Sequence, residues 1–179
     1  MQTWLSFACV FGLVVCQLDS GLPPEISIPA LKVHSVTGEF AGQLVDYAKS
    51  RGNKPTLYFF LPSHKWSRPT ARFLRELDNE IANRIDDAHI CAIWLTTDIT
   101  ESKECLPRAQ MSLKLEHTSL TVFDGNEYGP GEWGINTEKD VTIVLASGGK
   151  SIQSHSYVSA NETLAQSVLD EFEKAVNKL

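Results

Sequence analysis

Two stretches of the chain are apolar at nearly every position for the length of a strand, Thr56–Leu61 (TLYFFL) and His89–Thr96 (HICAIWLT). A strand of that kind is covered on both faces, as the centre of a layered sheet requires. Between them Phe73, Leu77, Ile81 and Ile85 recur at intervals of four, with Leu74 widening the stripe. That spacing predicts an amphipathic helix from Pro69 to Ile85, with the proline in the first turn, where its missing N–H costs nothing. A strand, a long crossover and a second strand imply parallel pairing through a right-handed connection.

The remaining pattern fills in around this unit. Phe40, Leu44, Val45 and Tyr47 sit at roughly helical spacing and stop at Gly52-Asn53, which predicts a short helix. The segment ESKECLPRAQMSL reads as a helix bent or begun at Pro107, because proline cannot serve a helix interior. TSLTVFDG is a short strand and EYGPGEWGINTE a Gly-rich loop. VTIVLASGGKSIQSHSYV is a hairpin turning at Gly148-Gly149. Asn161 then caps a last helix whose buried stripe is Leu164, Val168, Phe172 and Val176.

A length of 179 residues with 42% hydrophobic and 21% charged positions is that of a single globular unit with its own core. The 16 basic and 22 acidic residues leave a net charge of −6, with no basic run interleaved with aromatics, which argues against a nucleic-acid surface. Met1–Cys16 is apolar and uncharged and is followed by the polar, Pro-rich QLDSGLPPEISIP; it reads as an export signal, with a buried N-terminal strand as the alternative. It is shorter than the roughly twenty residues a membrane span needs. Leu13–Cys16 loosely resembles a lipoprotein box, but Val15 is larger than the residue normally found before the lipidated cysteine. Cleavage between Cys16 and Ser20 by an ordinary signal peptidase is the preferred expectation, and membrane attachment is expected only if Cys16 is lipidated. The chain thus divides into a signal over 1–20, an extension with a short helix over 21–54, and a domain over 55–179.

Where the first strand meets the helix stands WSRPT: Trp66, Ser67, Arg68, Pro69 and Thr70. This resembles the thioredoxin pattern Trp-Cys-x-Pro-Cys with oxygen in place of both sulfurs. Downstream, WGINTEKDVTIVLASGGK is similar to the redoxin segment in which a Gly-Val pair precedes a strand Pro-Thr-x-x-x-Ile-Asp-x-x-Gly-Lys. With the order of elements, these residues resemble the redoxin branch of the thioredoxin-like superfamily. The resemblance implies an α/β fold, a three-layer α/β/α sandwich whose mixed sheet ends in an antiparallel hairpin and a covering helix.

It also implies thiol chemistry that this chain departs from twice. A serine or threonine hydroxyl is not ionised near neutral pH and forms no disulfide, so Ser67 and Thr70 cannot do dithiol work. The family's cis-proline position falls on Asp140, where a cis bond would cost about 2.5–4 kcal/mol. The resemblance sets Asp140 opposite Ser67, Arg68 and Thr70, so a carboxylate–Arg68 pair at the helix mouth is expected. No cysteine lies between Tyr58 and Leu77 to act as a peroxidatic thiol.

Ser67 explains itself as a helix N-cap. The sharper reading makes HKWSRPT a binding face, with Trp66 as a flat contact and His64, Lys65 and Arg68 adding charge. His64 is also the one base near Ser67 in the loop for hydroxyl chemistry. Cys91 and Cys105 would sit about 10 Å out of step along their elements, too far for a disulfide, which needs Cα atoms within about 7 Å. Cys91 is expected buried, and Cys105 is the candidate single thiol. His34, His89, His117 and His155 stand at no metal-ligand spacing, and no metal or cofactor is expected. Asp86-Asp87 reads as a solvated helix end, and Glu101 and Glu104 favour a helix start. Asn161-Glu-Thr matches a glycosylation acceptor as well as a cap. Two functions follow. One is a non-catalytic exported module binding a protein or small ligand through Trp66 and the EYGPGEWG loop; the other is an oxidoreductase or peroxidase-like protein using Cys105 alone.

Overall fold

The computed structural model describes residues 19–178, so the expected signal and Cys16 lie outside the described residues. Seven strands form one sheet: β1 (Lys32–Ser35), β2 (Leu44–Asp46), β3 (Thr56–Pro62), β4 (His89–Leu95), β5 (Thr118–Phe123), β6 (Val141–Ser147) and β7 (Lys150–Tyr157). Their spatial order is β2-β1-β5-β4-β3-β6-β7. The β3–β4 and β4–β5 pairs are parallel and the others antiparallel, so the sheet is mixed. The described residues also form four α-helices: α1 (Tyr47–Arg51), α2 (Arg68–Arg84), α3 (Ile99–Leu113) and α4 (Ala165–Val176).

The apolar stripe of α2 does what its spacing predicts. Phe73, Leu74, Leu77 and Ile81 are fully buried and pack with Leu57, Phe59 and Leu61 on one face of the sheet. On that same face lie Val168, Leu169 and Phe172 of α4, and Leu106 of α3. Asp78 interrupts the stripe with a buried carboxylate. It accepts from Glu116 N at 2.9 Å, His117 N at 2.9 Å and the Thr118 hydroxyl at 2.6 Å, fastening the entry to β5 onto α2.

The opposite face is closed differently. Tyr58, Phe60, Cys91, Ile93 and Val144 pack there under α1, Leu22, Leu31 and Trp133. Among the described residues the one helix over this side is the five-residue α1, and irregular chain supplies the rest of the cover. Ser20 shares a hydrogen bond of 2.7 Å with Thr142, Gly21 N donates to Gly134 O at 3.0 Å, and Leu22 N donates to Ser154 Oγ at 3.0 Å.

Three expectations are corrected. The helix expected through Phe40, Leu44, Val45 and Tyr47 is a hairpin followed by one helical turn and a half: Leu44–Asp46 pairs with Lys32–His34, and the helix spans only Tyr47–Arg51. Gly42, with φ of 81°, makes the turn, and the Asp46 carboxylate caps Lys49 N while also accepting from Leu31 N. The segment 21–54 therefore supplies two strands to the same sheet, with β1 hydrogen-bonded to β5. Of the two alternatives at Pro107, a helix begun there is set aside: α3 starts at Ile99, capped by Asp98, and carries Pro107 inside, where a bend is what a proline can cause. The third concerns Trp133, expected on a binding loop: it is fully buried, 4.9 Å from Tyr58 and 5.1 Å from Phe60 between ring centres, and donates to Ala30 O at 3.3 Å.

Candidate functional site

The site is built at the carboxyl ends of β3 and β4, where the open ends of parallel strands leave a crevice. β3 ends at Pro62, a short 3₁₀ turn carries Ser63–Lys65, and α2 begins at Arg68 with Pro69 in its first turn. Ser67 is extended, with φ of −148° and ψ of 166°, and its Oγ accepts from Thr70 N at 3.4 Å. The same Oγ lies 2.8 Å from Thr70 Oγ1. The two hydroxyls thus satisfy each other across the first turn of the helix, and Thr70 is wholly buried. A hydroxyl engaged in this way caps a helix, and among the described residues neither hydroxyl is hydrogen-bonded to a basic side chain. Neither hydroxyl has a hydrogen bond to His64, so the nucleophile reading gains no partner.

Trp66 is half-buried and leans on Trp94, with ring centres 5.0 Å apart and planes tilted by 58°. Trp94, near the end of β4, is the member of the site that sequence reading missed. Its signal was an aromatic close to the end of the strand beside the turn, legible only once β3 and β4 are placed in register, Leu61 beside Trp94.

Asp140 lies just ahead of β6, its N–H donating to Tyr157 O at 2.7 Å, and no cis peptide occurs among the described residues. Its carboxylate stands 3.5 Å from Lys65 Nζ. The expected partner was Arg68, and this is a correction: the 3₁₀ turn brings Lys65 back toward β6, while Arg68 begins α2 and faces outward. Arg68 pairs with no carboxylate among the described residues, and Arg72, one turn on, meets Glu162 at 3.5 Å.

Hollows flank Trp66 on two sides. One of about 290 Å³ runs between α2 and α3 and is lined by Trp66, Arg68, Ala71, Arg72, Ala109 and Leu113, with Ser112. The other, about 370 Å³, lies over the strand ends and brings together His64, Trp66, Trp94, Glu101, Cys105 and Leu106. Cys105 is therefore exposed and close to the turn that carries Trp66, although it belongs to α3. Cys91 is a free thiol of another kind, wholly buried, and burial pushes its pKa up. From the Gly-rich loop, Tyr128 and Glu127 reach toward His64 and Leu95, and Tyr128 is 66% exposed.

The histidines do not assemble: among the described residues no group of His, Cys, Asp and Glu could hold a metal ion. His34 pairs with Asp124 at 3.0 Å, His89 meets the Ser119 hydroxyl at 2.9 Å, and His155 stands 3.2 Å from Glu171. Asn161 is a cap, its Oδ1 accepting from Thr163 N at 3.0 Å and from the Thr163 hydroxyl at 2.6 Å.

No protein-family model matches the chain, and no curated protein sequence matches it. Solved structures do. A thiol peroxidase from Chromobacterium violaceum superposes with a TM-score of 0.61 at 12% identity, covering 89% of this chain and 90% of its own. A peroxiredoxin-like protein from Aquifex aeolicus gives 0.59 at 11% identity over 87% and 88% of the two chains. A secreted Mycobacterium tuberculosis disulfide oxidoreductase homologous to E. coli DsbE gives 0.57 at 14% identity over 84% and 96%. At such identities the likeness is one of fold, and the fold is thioredoxin-like.

Proposed function

We propose that the chain is a thioredoxin-like module that binds a partner at the Trp66 face and performs no dithiol chemistry. The observation that carries this reading is the hydroxyl pair Ser67–Thr70, 2.8 Å apart at the mouth of α2. Oxygen there preserves the helix cap and removes both the nucleophile and the resolving group that disulfide exchange needs. What remains is a tilted pair of tryptophans with a hollow on either side, the kind of rigid aromatic surface on which binding energy concentrates. The test is an insulin-reduction assay and a peroxide-consumption assay on the purified chain. Both are expected to show no turnover above the uncatalysed rate, and clear turnover in either would remove the proposal.

A second reading keeps one thiol, and the exposure of Cys105 in the hollow it shares with Trp66 favours it. On that reading the Cys105→Ser variant loses whatever turnover those assays detect, whereas Ser67→Ala retains it.

The apolar Met1–Cys16 supports export. No helix among the described residues is long and apolar enough to cross a membrane. N-terminal sequencing of protein recovered from its own host is expected to begin after about Cys16; an intact Met1 in a cytosolic fraction would remove the idea.

A further inference from the structure

The surface beside Trp66 carries a charge pattern at odds with the rest of the molecule. Against a net charge of −6, the stretch His64–Arg75 holds Lys65, Arg68, Arg72 and Arg75 and no acidic residue. Arg68 and Arg72, one helical turn apart, stand over the hollow between α2 and α3. Arg68 has no carboxylate partner among the described residues. Arg72 is held to Glu162 only by a solvent-exposed contact of 3.5 Å, which an incoming carboxylate can replace at little cost. Apart from Ser112 the rest of the lining is apolar: Ala71, Ala109, Leu113 and Trp66.

The two hollows share Trp66 as a common wall. Each, at about 290 and 370 Å³, is at the small end of what encloses a whole organic ligand and suits one or two side chains. A chain laid across the tryptophan uses both. Their chemistry differs. The α2–α3 hollow is cationic at its rim, whereas the strand-end hollow contains Glu101 beside Trp94 and Leu106 and so disfavours a second anion.

From this, and resting on the reading of Trp66 as a binding face, we infer that the groove receives an extended acidic peptide segment. Its aspartate or glutamate carboxylates engage Arg68 and Arg72, and an uncharged apolar side chain crosses Trp66 into the strand-end hollow. Arginine suits the role because its planar fork meets a carboxylate through two parallel N–H donors.

Selection of random twelve-residue peptides displayed on phage against the immobilised full chain tests this. Trp66→Ala and the double variant Arg68→Glu/Arg72→Glu serve as comparison targets, with thermal unfolding confirming that each is folded. Enriched peptides are expected to carry two or more acidic residues next to an aromatic or aliphatic one. Synthetic copies should bind at least about tenfold more weakly to the Arg68→Glu/Arg72→Glu protein and lose affinity as salt rises from about 0.05 to 0.5 M. They should not bind Trp66→Ala. Peptides that need Trp66 but are neutral or basic, or that ignore the two arginines, overturn the acidic specificity and leave the binding face standing. Failure to recover any peptide that depends on Trp66 overturns both.

Discussion

The hydroxyls of Ser67 and Thr70, which the resemblance of WSRPT to the thioredoxin pattern sets in place of its two sulfurs, stand 2.8 Å apart. Two side chains already aimed at one another across the first turn of a helix need little rearrangement to become a covalent pair. The Ser67→Cys/Thr70→Cys variant is therefore expected to form an intramolecular disulfide on mild oxidation, read by mass spectrometry as the loss of two hydrogens. Retention of two alkylatable thiols after oxidation would mean that the turn is not a dithiol frame. The Lys65–Asp140 contact is a separate residue-scale fact. Resemblance set Asp140 against Arg68, whereas its carboxylate meets Lys65, because the 3₁₀ turn Ser63–Lys65 leaves no mark in the hydrophobic pattern.

At the scale of elements, Asp78 shows how one polar residue in an apolar stripe can hold two structures together. Its carboxylate satisfies Glu116 N, His117 N and the Thr118 hydroxyl at the start of β5. Asp78→Ala leaves those donors in a buried place with no acceptor, and unsatisfied buried groups cost about 1–3 kcal/mol each before relaxation. A loss of about 3 kcal/mol in urea denaturation is expected, with β4 and α2 retained; a loss below about 0.5 kcal/mol would show that water replaces the carboxylate. The strands β3 and β4 and the helix α2 were legible because each has a single periodicity that burial demands. The segment Phe40–Tyr47 misled because Leu44, Val45 and Tyr47 suit a helix face as well as a short strand. What decides is the turn at Gly42 and the pairing to Lys32–His34, a non-local fact. Trp133 misled for the converse reason: Gly-rich loops ordinarily lie at the surface, but here a sheet face that carries no long helix among the described residues is filled by a large side chain.

At the scale of the molecule, half-buried histidines contribute to the response to acid. His89 is stacked on Tyr47 and bonded to Ser119, and burial, helped by the Arg51 and His117 charges and opposed by Asp87, pushes its pKa from 6.5 down to about 4. Above pH 6.5 it is neutral whether folded or not. Below that, the unfolded chain takes up a proton that the folded one refuses, so stability falls as pH drops from 6.5 toward 4, by up to about 3 kcal/mol. His155 acts in the same direction, because burial lowers its pKa more than Glu171 restores it. Urea midpoints measured between pH 7 and 4 are expected to decline, and to decline less in His89→Asn. Equal slopes in both proteins would assign the acid response to other groups.

The strap that closes the second face also bears on how the chain folds. Ser20 and Leu22 find their partners at Thr142 and Ser154, separated from them by 122 and 132 positions. Closing so long a loop costs entropy that no local contact repays. Ser20 and Leu22 therefore leave the ribosome long before the hairpin they dock on exists. Tyr58, Phe60 and Trp133 can be sealed from water only after β6 and β7 have been synthesised. Maturation of this side of the sheet is in consequence a late step, and a chain cut short before β6 would leave its aromatic face open.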